Sequence, residues 1–147
     1  MTGKTVWDTA RLAEKMRDLD FCVLSTKAAN GAIAGRPMSN NRDVAFDGNT
    51  WLFADESAHL VGEIEADAEV GLAYQGKAGM LGLRPLFITI EGKATLIRDR
   101  AAFAEHWTKD LERWWPEGID APGLVLVRVS ATRAHYWDGE DEGEVRL

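Results

Sequence analysis

Apolar and polar residues alternate along much of this chain, and the alternation predicts strands. The longest regular run is residues 86–97, in which apolar side chains recur at alternate positions: Ile88, Ile90, Ala94 and Leu96. Shorter runs of the same kind, separated by turn residues such as Asn30 and Gly31, predict the other strands. These strands are predicted at residues 21–26, 33–38, 43–46, 50–54, 70–74, 124–129 and 134–137.

Three segments with helical spacing lie among the predicted strands. Residues 5–19 are predicted as a helix with Thr5 as its N-cap. Its apolar stripe is formed by Val6, Ala10, Ala13 and Met16. Ser57 is the predicted N-cap of a second helix, which continues to about residue 66. Asp99 opens the third helix, in which four apolar side chains fall on one face: Phe103, Trp107, Leu111 and Trp114.

Two further segments have the composition of irregular structure. Residues 75–85 contain three glycines and a proline and are predicted as a loop. Their glycine spacing does not match a dinucleotide-binding motif, because Pro85 and a strand follow where a helix should begin. Residues 139–147 are predicted as an acidic tail in solvent.

The order of these elements predicts the fold class. Short strands with three helices between them indicate an α+β domain whose mainly antiparallel sheet closes on itself. At 147 residues the chain has the length of one domain, covering residues 1–147. A small barrel fills its lumen with side chains. A large ligand would therefore lie outside the barrel, at an interface between two copies of the chain.

Charge and composition exclude several classes of function. The formal net charge of −7 and the scattered basic residues argue against nucleic-acid binding. The apolar runs are strand-length, so no membrane span is expected. The single cysteine, Cys22, has no partner for an internal disulfide, and we expect a cytoplasmic protein. Cys22 lies between Phe21 and Val23 and is predicted to be a core residue.

A metal site and a nucleophilic triad are both disfavoured. His59, His106 and His135 are far apart, with no cysteine or carboxylate at ligand spacing, so no metal is predicted. No Gly-x-Ser-x-Gly motif is present. No catalytic acid or base stands out.

Arg36 is the side chain with the clearest candidate chemistry. Its permanently charged guanidinium ends an apolar stretch and precedes Pro37, whose φ is restricted. With Ser57 opening the following helix, it forms a candidate seat for a phosphate-bearing cofactor. The alternative is a surface arginine at a strand end.

The six tryptophans are a second unusual feature. Trp7, Trp51 and Trp137 are predicted in the core. Trp114 and Trp115 are adjacent and cannot share one direction. We expect one of this pair to pack inward and the other to meet a partner or a planar ligand.

The ordered set of segments resembles the flavin-binding split-barrel proteins related to pyridoxamine 5'-phosphate oxidase, in particular the bacterial general stress protein branch. The resemblance covers nearly the whole chain. It is carried by residues 21–26, 34–38, 51–57, 63–70, 90–94, 107, 114–118, 120–122 and 136–137.

The resemblance implies an FMN-binding split barrel: a mainly antiparallel split β-barrel with flanking helices that forms a homodimer. Two equivalent FMN sites would lie at the subunit interface. Arg36 would contact the FMN phosphate, and Ser57 with the following helix start would complete the phosphate site, where His59 would partly compensate for a lysine that many relatives have. Trp115 or its neighbour, from the other subunit, would cover the flavin ring.

Main-chain groups of two strands would meet the isoalloxazine ring in this arrangement. One set runs along the ring: Pro37, Met38, Ser39 and Asn40. The other set meets the pyrimidine edge of the flavin: Trp51, Leu52, Phe53, Ala54 and Asp55. The activity implied is that of a flavin-dependent oxidoreductase of unknown substrate.

The sequence departs from many relatives at two positions. Ala54 stands where a threonine is common, and Leu60 lies in the stretch where many relatives have a lysine. Losing one hydrogen bond to a charged group costs about 1.5–3 kcal/mol. Other readings therefore stay open: a non-catalytic flavin-binding or stress-response protein, a true pyridoxamine 5'-phosphate oxidase, or a split barrel that uses deazaflavin or haem.

Overall fold

The computed structural model describes residues 6–39, 46–76 and 85–147. Within these ranges the chain forms three α-helices, seven β-strands and two short 3₁₀ segments. The helices are α1 (Thr9–Met16), α2 (His59–Ala66) and α3 (Arg100–His106). The strands are β1 (Phe21–Lys27), β2 (Ile33–Ser39), β3 (Asn49–Asp55), β4 (Glu69–Gln75), β5 (Phe87–Ile97), β6 (Leu124–Asp138) and β7 (Asp141–Arg146). The 3₁₀ segments are Lys109–Arg113 and Gly118–Asp120.

All strand pairs of the sheet are antiparallel. The order is β2-β1-β4-β5-β6-β3, and β7 also pairs with β6. The first half of β6 pairs with β3 and the second half with β7, so one long strand joins both parts of the sheet. The predicted fold class, an α+β split barrel with a mainly antiparallel sheet, is confirmed.

The alternation read from the sequence matches the two faces of β5. Ile88, Ile90 and Ala94 are buried, whereas Glu91 and Lys93 are exposed. The inward side chains of β5 and β6 form the barrel core together with residues of α1 and α2. A second apolar cluster lies around Phe53 and Leu126 and is covered by α3 and the 3₁₀ segments.

The first two helices begin later than predicted. In α1 the N-cap is Asp8, whose carboxylate accepts a hydrogen bond from the Arg11 N–H at 2.8 Å. The predicted stripe is partly wrong, because Val6 is 82% exposed and Leu12 faces the core with Met16. Thr5 lies outside the described residues. The cap of α2 is Ala58, not Ser57. The Ser57 hydroxyl instead donates to Asp55, a local turn that competes with capping.

The predicted third helix is interrupted. Asp99 caps α3 as expected, but α3 ends at His106 and Trp107 is extended. A separate 3₁₀ segment then carries Leu111 into the same apolar cluster that Phe103 joins. Apolar residues at helical spacing therefore reach one cluster through two short helices, and Trp114 is left 59% exposed.

The prediction of a solvent-exposed acidic tail is wrong. Residues 141–146 form β7, which returns antiparallel to β6 through a turn at Gly139, whose φ is +65°. Glu142 and Glu144 are exposed and Val145 packs into the core, so acidic composition alone did not distinguish this strand from a tail. The two strands predicted at residues 124–129 and 134–137 are one strand, β6. Residues 43–45 and 77–84, predicted as part of a strand and of a loop, lie outside the described residues.

Among the helices of the described residues, none is long and apolar enough to cross a membrane.

Candidate functional site

The pairing of β1 with β2 separates their side chains into two sets. Cys22, Leu24 and Thr26 are buried on the inner face, and Arg36 lies opposite Leu24 on that face. Pro37 lies opposite Val23 on the outer face. The two residues that the resemblance places at opposite ends of a flavin therefore lie on opposite faces of β2.

A groove of about 530 Å³ opens where β1 and β2 meet the end of β3, the first 3₁₀ segment and the two tryptophans that follow it. We call it the β2–β3 groove. It is lined by Phe21, Pro37, Met38, Ser39, Phe53, Asp55, Leu111, Trp114 and Trp115. Most of these side chains are apolar and four are aromatic, a composition typical of sites for planar organic ligands.

The adjacent tryptophans divide as the sequence indicated. The Trp115 ring lies 6.3 Å from the Trp107 ring and 6.4 Å from the Phe53 ring, both edge-on, so it packs into the second apolar cluster. Trp114 is 59% exposed. Both line the groove, so the more accessible indole is that of Trp114, while the residue named from the resemblance, Trp115, is held by its neighbours.

Asp55 is the charged residue among the described residues that line the groove. Its Oδ1 accepts hydrogen bonds from the Ser57 hydroxyl at 2.6 Å and from the Ser57 N–H at 2.9 Å. These bonds, the hydroxyl first, hold the pKa of the Asp55 carboxyl below its usual value, so the groove carries a negative charge at neutral pH.

Arg36 lies outside this groove lining and is already paired. Its Nη2 donates to Glu63 Oε1 at 2.8 Å, and its Nη1 donates to Thr26 Oγ1 at 2.8 Å and to the Leu24 carbonyl at 3.2 Å. The Thr26 hydroxyl donates to the same Glu63 oxygen at 2.8 Å. The Arg36 and Glu63 side chains are 22% and 16% exposed, so the pair is largely shielded from water.

The groove brings together only part of the set named from the sequence. It includes Pro37, Met38, Ser39, Phe53, Asp55 and Trp115. Leu52 and Ala54 face the core, and Trp51 stacks on His106 at 3.6 Å between ring centroids. His59 is the first residue of α2, and Asn40 lies outside the described residues.

Sequence reasoning missed Phe21 and Leu111 as groove residues and named Trp114 only as the neighbour of Trp115. Phe21 is 58% exposed although it begins an apolar strand. No local pattern marks a strand-end phenylalanine as exposed, because its exposure depends on what the neighbouring strands leave uncovered. The doubled tryptophan was a signal for Trp114, but the direction of each ring required the packing around Phe53.

The described residues fit one part of FMN better than the other. The planar, largely apolar isoalloxazine ring suits the aromatic β2–β3 groove. The phosphate dianion would meet Arg36, whose guanidinium is already bound by Glu63. No group of three His, Cys, Asp or Glu side chains that could hold a metal ion occurs in the described part of the chain.

The fold and groove define a split-barrel protein with an aromatic groove beside β2 and β3. The family model described as pyridoxamine 5'-phosphate oxidase like matches residues 8–146, and the chain belongs to this family. The resemblance drawn from the sequence is thereby confirmed at the level of the family. A search of curated proteins finds no match.

Solved structures with the same fold have low sequence identity to this chain. One is a Clostridium acetobutylicum protein related to general stress protein 26 of Bacillus subtilis (TM-score 0.77, 18% identity, 95% of this chain and 94% of that chain). Another is general stress protein 26 of Bacillus anthracis (TM-score 0.72, 20% identity, 95% and 96%). A heme binding protein from Mycobacterium smegmatis also matches (TM-score 0.72, 17% identity, 91% and 57%). These likenesses concern the fold.

Proposed function

We propose that this protein binds FMN in the β2–β3 groove and acts as a flavin-dependent oxidoreductase of unidentified substrate. The observation that carries the proposal is the convergence of Pro37, Met38, Ser39, Phe53 and Asp55 on one aromatic groove, since the family resemblance assigns these same residues to the flavin ring. When bound, the flavin would supply the redox chemistry, and the chain would orient it and exclude water.

A homodimer is part of this proposal. The outer face of the sheet carries exposed apolar side chains beside the groove, with Phe21 58%, Val23 43% and Phe87 39% exposed. Register places Val23 next to Pro37 on one side and Ala73 on the other, so the apolar surface is continuous with the groove. A second copy that covers this surface would bury it and close the groove at the same time. A cytoplasmic location is proposed from the single cysteine.

The direct test is titration of purified protein with FMN, followed by flavin and tryptophan fluorescence. We expect low-micromolar affinity or better. Titration without any change in either signal would contradict the proposal. Val23→Glu should convert the dimer to monomer in light scattering and weaken FMN binding, because it places a charge in the apolar surface. Val6→Glu is the matched control, since Val6 is also exposed but precedes α1 and belongs to no strand of the sheet.

Reduction of bound FMN by NADH or NADPH separates an enzyme from a non-catalytic flavin-binding protein. Rapid reduction supports the oxidoreductase, and its absence supports a storage or sensing role. Release of hydrogen peroxide with pyridoxamine 5'-phosphate would identify a true oxidase. Haem is the weaker alternative, because none of His59, His106 and His135 lines the groove among the described residues. A Soret absorption band in the purified protein would instead favour haem over FMN as the cofactor.

A further inference from the structure

We propose that Glu63 sets how strongly Arg36 can bind the phosphate of a flavin, and therefore sets the preference of this site between FMN and riboflavin. This inference rests on the proposed function. It concerns a residue that does not line the groove and to which the resemblance gave no role in flavin binding. Glu63 lies on α2, 27 positions from Arg36 in the chain, and reaches the β1–β2 pair from the helix that packs on it.

The first support is the set of hydrogen bonds that Glu63 accepts through one carboxylate oxygen. One oxygen, Oε1, accepts hydrogen bonds from both Arg36 Nη2 and Thr26 Oγ1, each at 2.8 Å. Thr26 is 2% exposed and is itself held by Arg36 Nη1. The three side chains form a closed triangle of hydrogen bonds. Glu63 thus occupies the guanidinium with the same chemistry that a phosphate oxygen would offer.

The second support is the low exposure of the pair. At 22% and 16% exposure, the Arg36 and Glu63 charges are screened far less than surface charges are. A phosphate dianion that approached Arg36 would either lie beside the Glu63 carboxylate or displace it from Thr26. Both routes oppose binding of the phosphate, and neither affects a flavin that has no phosphate.

The groove itself adds to this selectivity. Its charged lining residue is Asp55, a carboxylate whose lowered pKa keeps it ionised. Among the described residues that line the groove, none supplies a compensating cation. Arg36 is the cation that the resemblance assigns to the phosphate, so the charge of Glu63 determines how much of Arg36 is available.

Glu63→Gln tests the inference, because the amide keeps an oxygen acceptor for Thr26 and Arg36 but removes the charge. Dissociation constants for FMN and for riboflavin are measured in the wild type and in the variant. We expect Glu63→Gln to tighten FMN by about tenfold or more, and riboflavin by less than about threefold. Glu65→Gln is the control, because Glu65 is on the same helix but pairs with Arg98; both affinities should stay unchanged.

An unchanged ratio of FMN to riboflavin affinity in Glu63→Gln would overturn the inference while leaving flavin binding intact. Absence of binding by both flavins, in the wild type and in the variant, would instead overturn the proposed function. If Glu63→Gln does not fold, Glu63→Asp provides the same test. The shorter side chain draws the carboxylate back from Arg36, so the ratio should move in the same direction by a smaller factor, and a fixed ratio would contradict the inference.

Discussion

Arg36 and Pro37 are neighbours in the chain, but their side chains lie on opposite faces of β2. Arg36 binds Glu63 on the inner side, and Pro37 lines the β2–β3 groove on the outer side. A strand turns successive side chains to opposite faces, so the short run Gly35-Arg36-Pro37-Met38 contributes side chains to two different environments. The two environments can be tested separately.

Arg36→Ala should destabilise the fold, because Glu63 and Thr26 would lose their shared partner. Loss of a hydrogen-bonded charged partner predicts a decrease of about 1.5–3 kcal/mol in the free energy of unfolding, measured by denaturant titration. Lys93→Ala is the matched control. The Lys93 Nζ lies 3.7 Å from Glu69 Oε1, and the two side chains are 66% and 56% exposed. Loss of this exposed ion pair should therefore lower the free energy of unfolding by at most about 1 kcal/mol. Equal effects of the two variants would contradict a structural role for the Arg36–Glu63 pair.

Trp114→Ala and Trp115→Ala should separate ligand binding from stability. Trp115 is half-buried and packs against Phe53 and Trp107, so its truncation should lower the free energy of unfolding by about 3 kcal/mol, the low end of the range for a core tryptophan. Trp114 is 59% exposed, and its truncation should change stability by no more than about 0.5 kcal/mol. If the groove binds flavin, Trp114→Ala should weaken FMN binding without unfolding the chain. Thermal unfolding and FMN titration of both variants measure the difference.

Gly143→Ala should destabilise the β6–β7 pair, because a Cβ at this position would overlap the Tyr136 ring, 2.7 Å from its Cζ. Tyr136 cannot move freely, since it is buried and stacks on Trp7 at 4.0 Å. Overpacking of this kind costs about 1–3 kcal/mol. Gly62→Ala is the matched control on the exposed face of α2, where an added Cβ meets nothing within 4 Å; it should stabilise by about 0.5–1 kcal/mol. Denaturant midpoints measure both effects: the midpoint should fall in Gly143→Ala and rise in Gly62→Ala.

Cys22 should react with thiol reagents only when the chain unfolds. Burial raises the pKa of its thiol to about 12, compared with 9.0 for a free thiol. At pH 8 the native protein should therefore be labelled far more slowly than the protein in denaturant. Because the folded state raises this pKa, the contribution of the Cys22 thiol to the free energy of unfolding is fully present below pH 9. That contribution is lost as pH rises from 9 towards 12. Labelling of native protein at the rate of a free thiol would contradict its burial.

Much of the fold was predictable because it depends on local pattern. The alternation in β5, the turn at Gly31 and the Asp99 cap each involve residues close in sequence. β7 was missed because its outward acidic residues have the composition of a tail, and only pairing with β6 buries Val145. Serine is a common N-cap, so the sequence predicts Ser57 as the cap of α2. In the structure its hydroxyl instead donates a hydrogen bond to the carboxylate of Asp55, two residues earlier.

The amino-acid sequence by itself determined the fold class, the family and the identity of the strands that border the groove, since these follow from periodicity and from the order of segments. Only the tertiary structure decided which side chains meet. The Arg36–Glu63 contact joins a strand to a helix across 27 positions, and the separate directions of Trp114 and Trp115 depend on the packing around Phe53. Contacts of this kind arise from the relative placement of whole elements, for which no local pattern in the chain carries a signal.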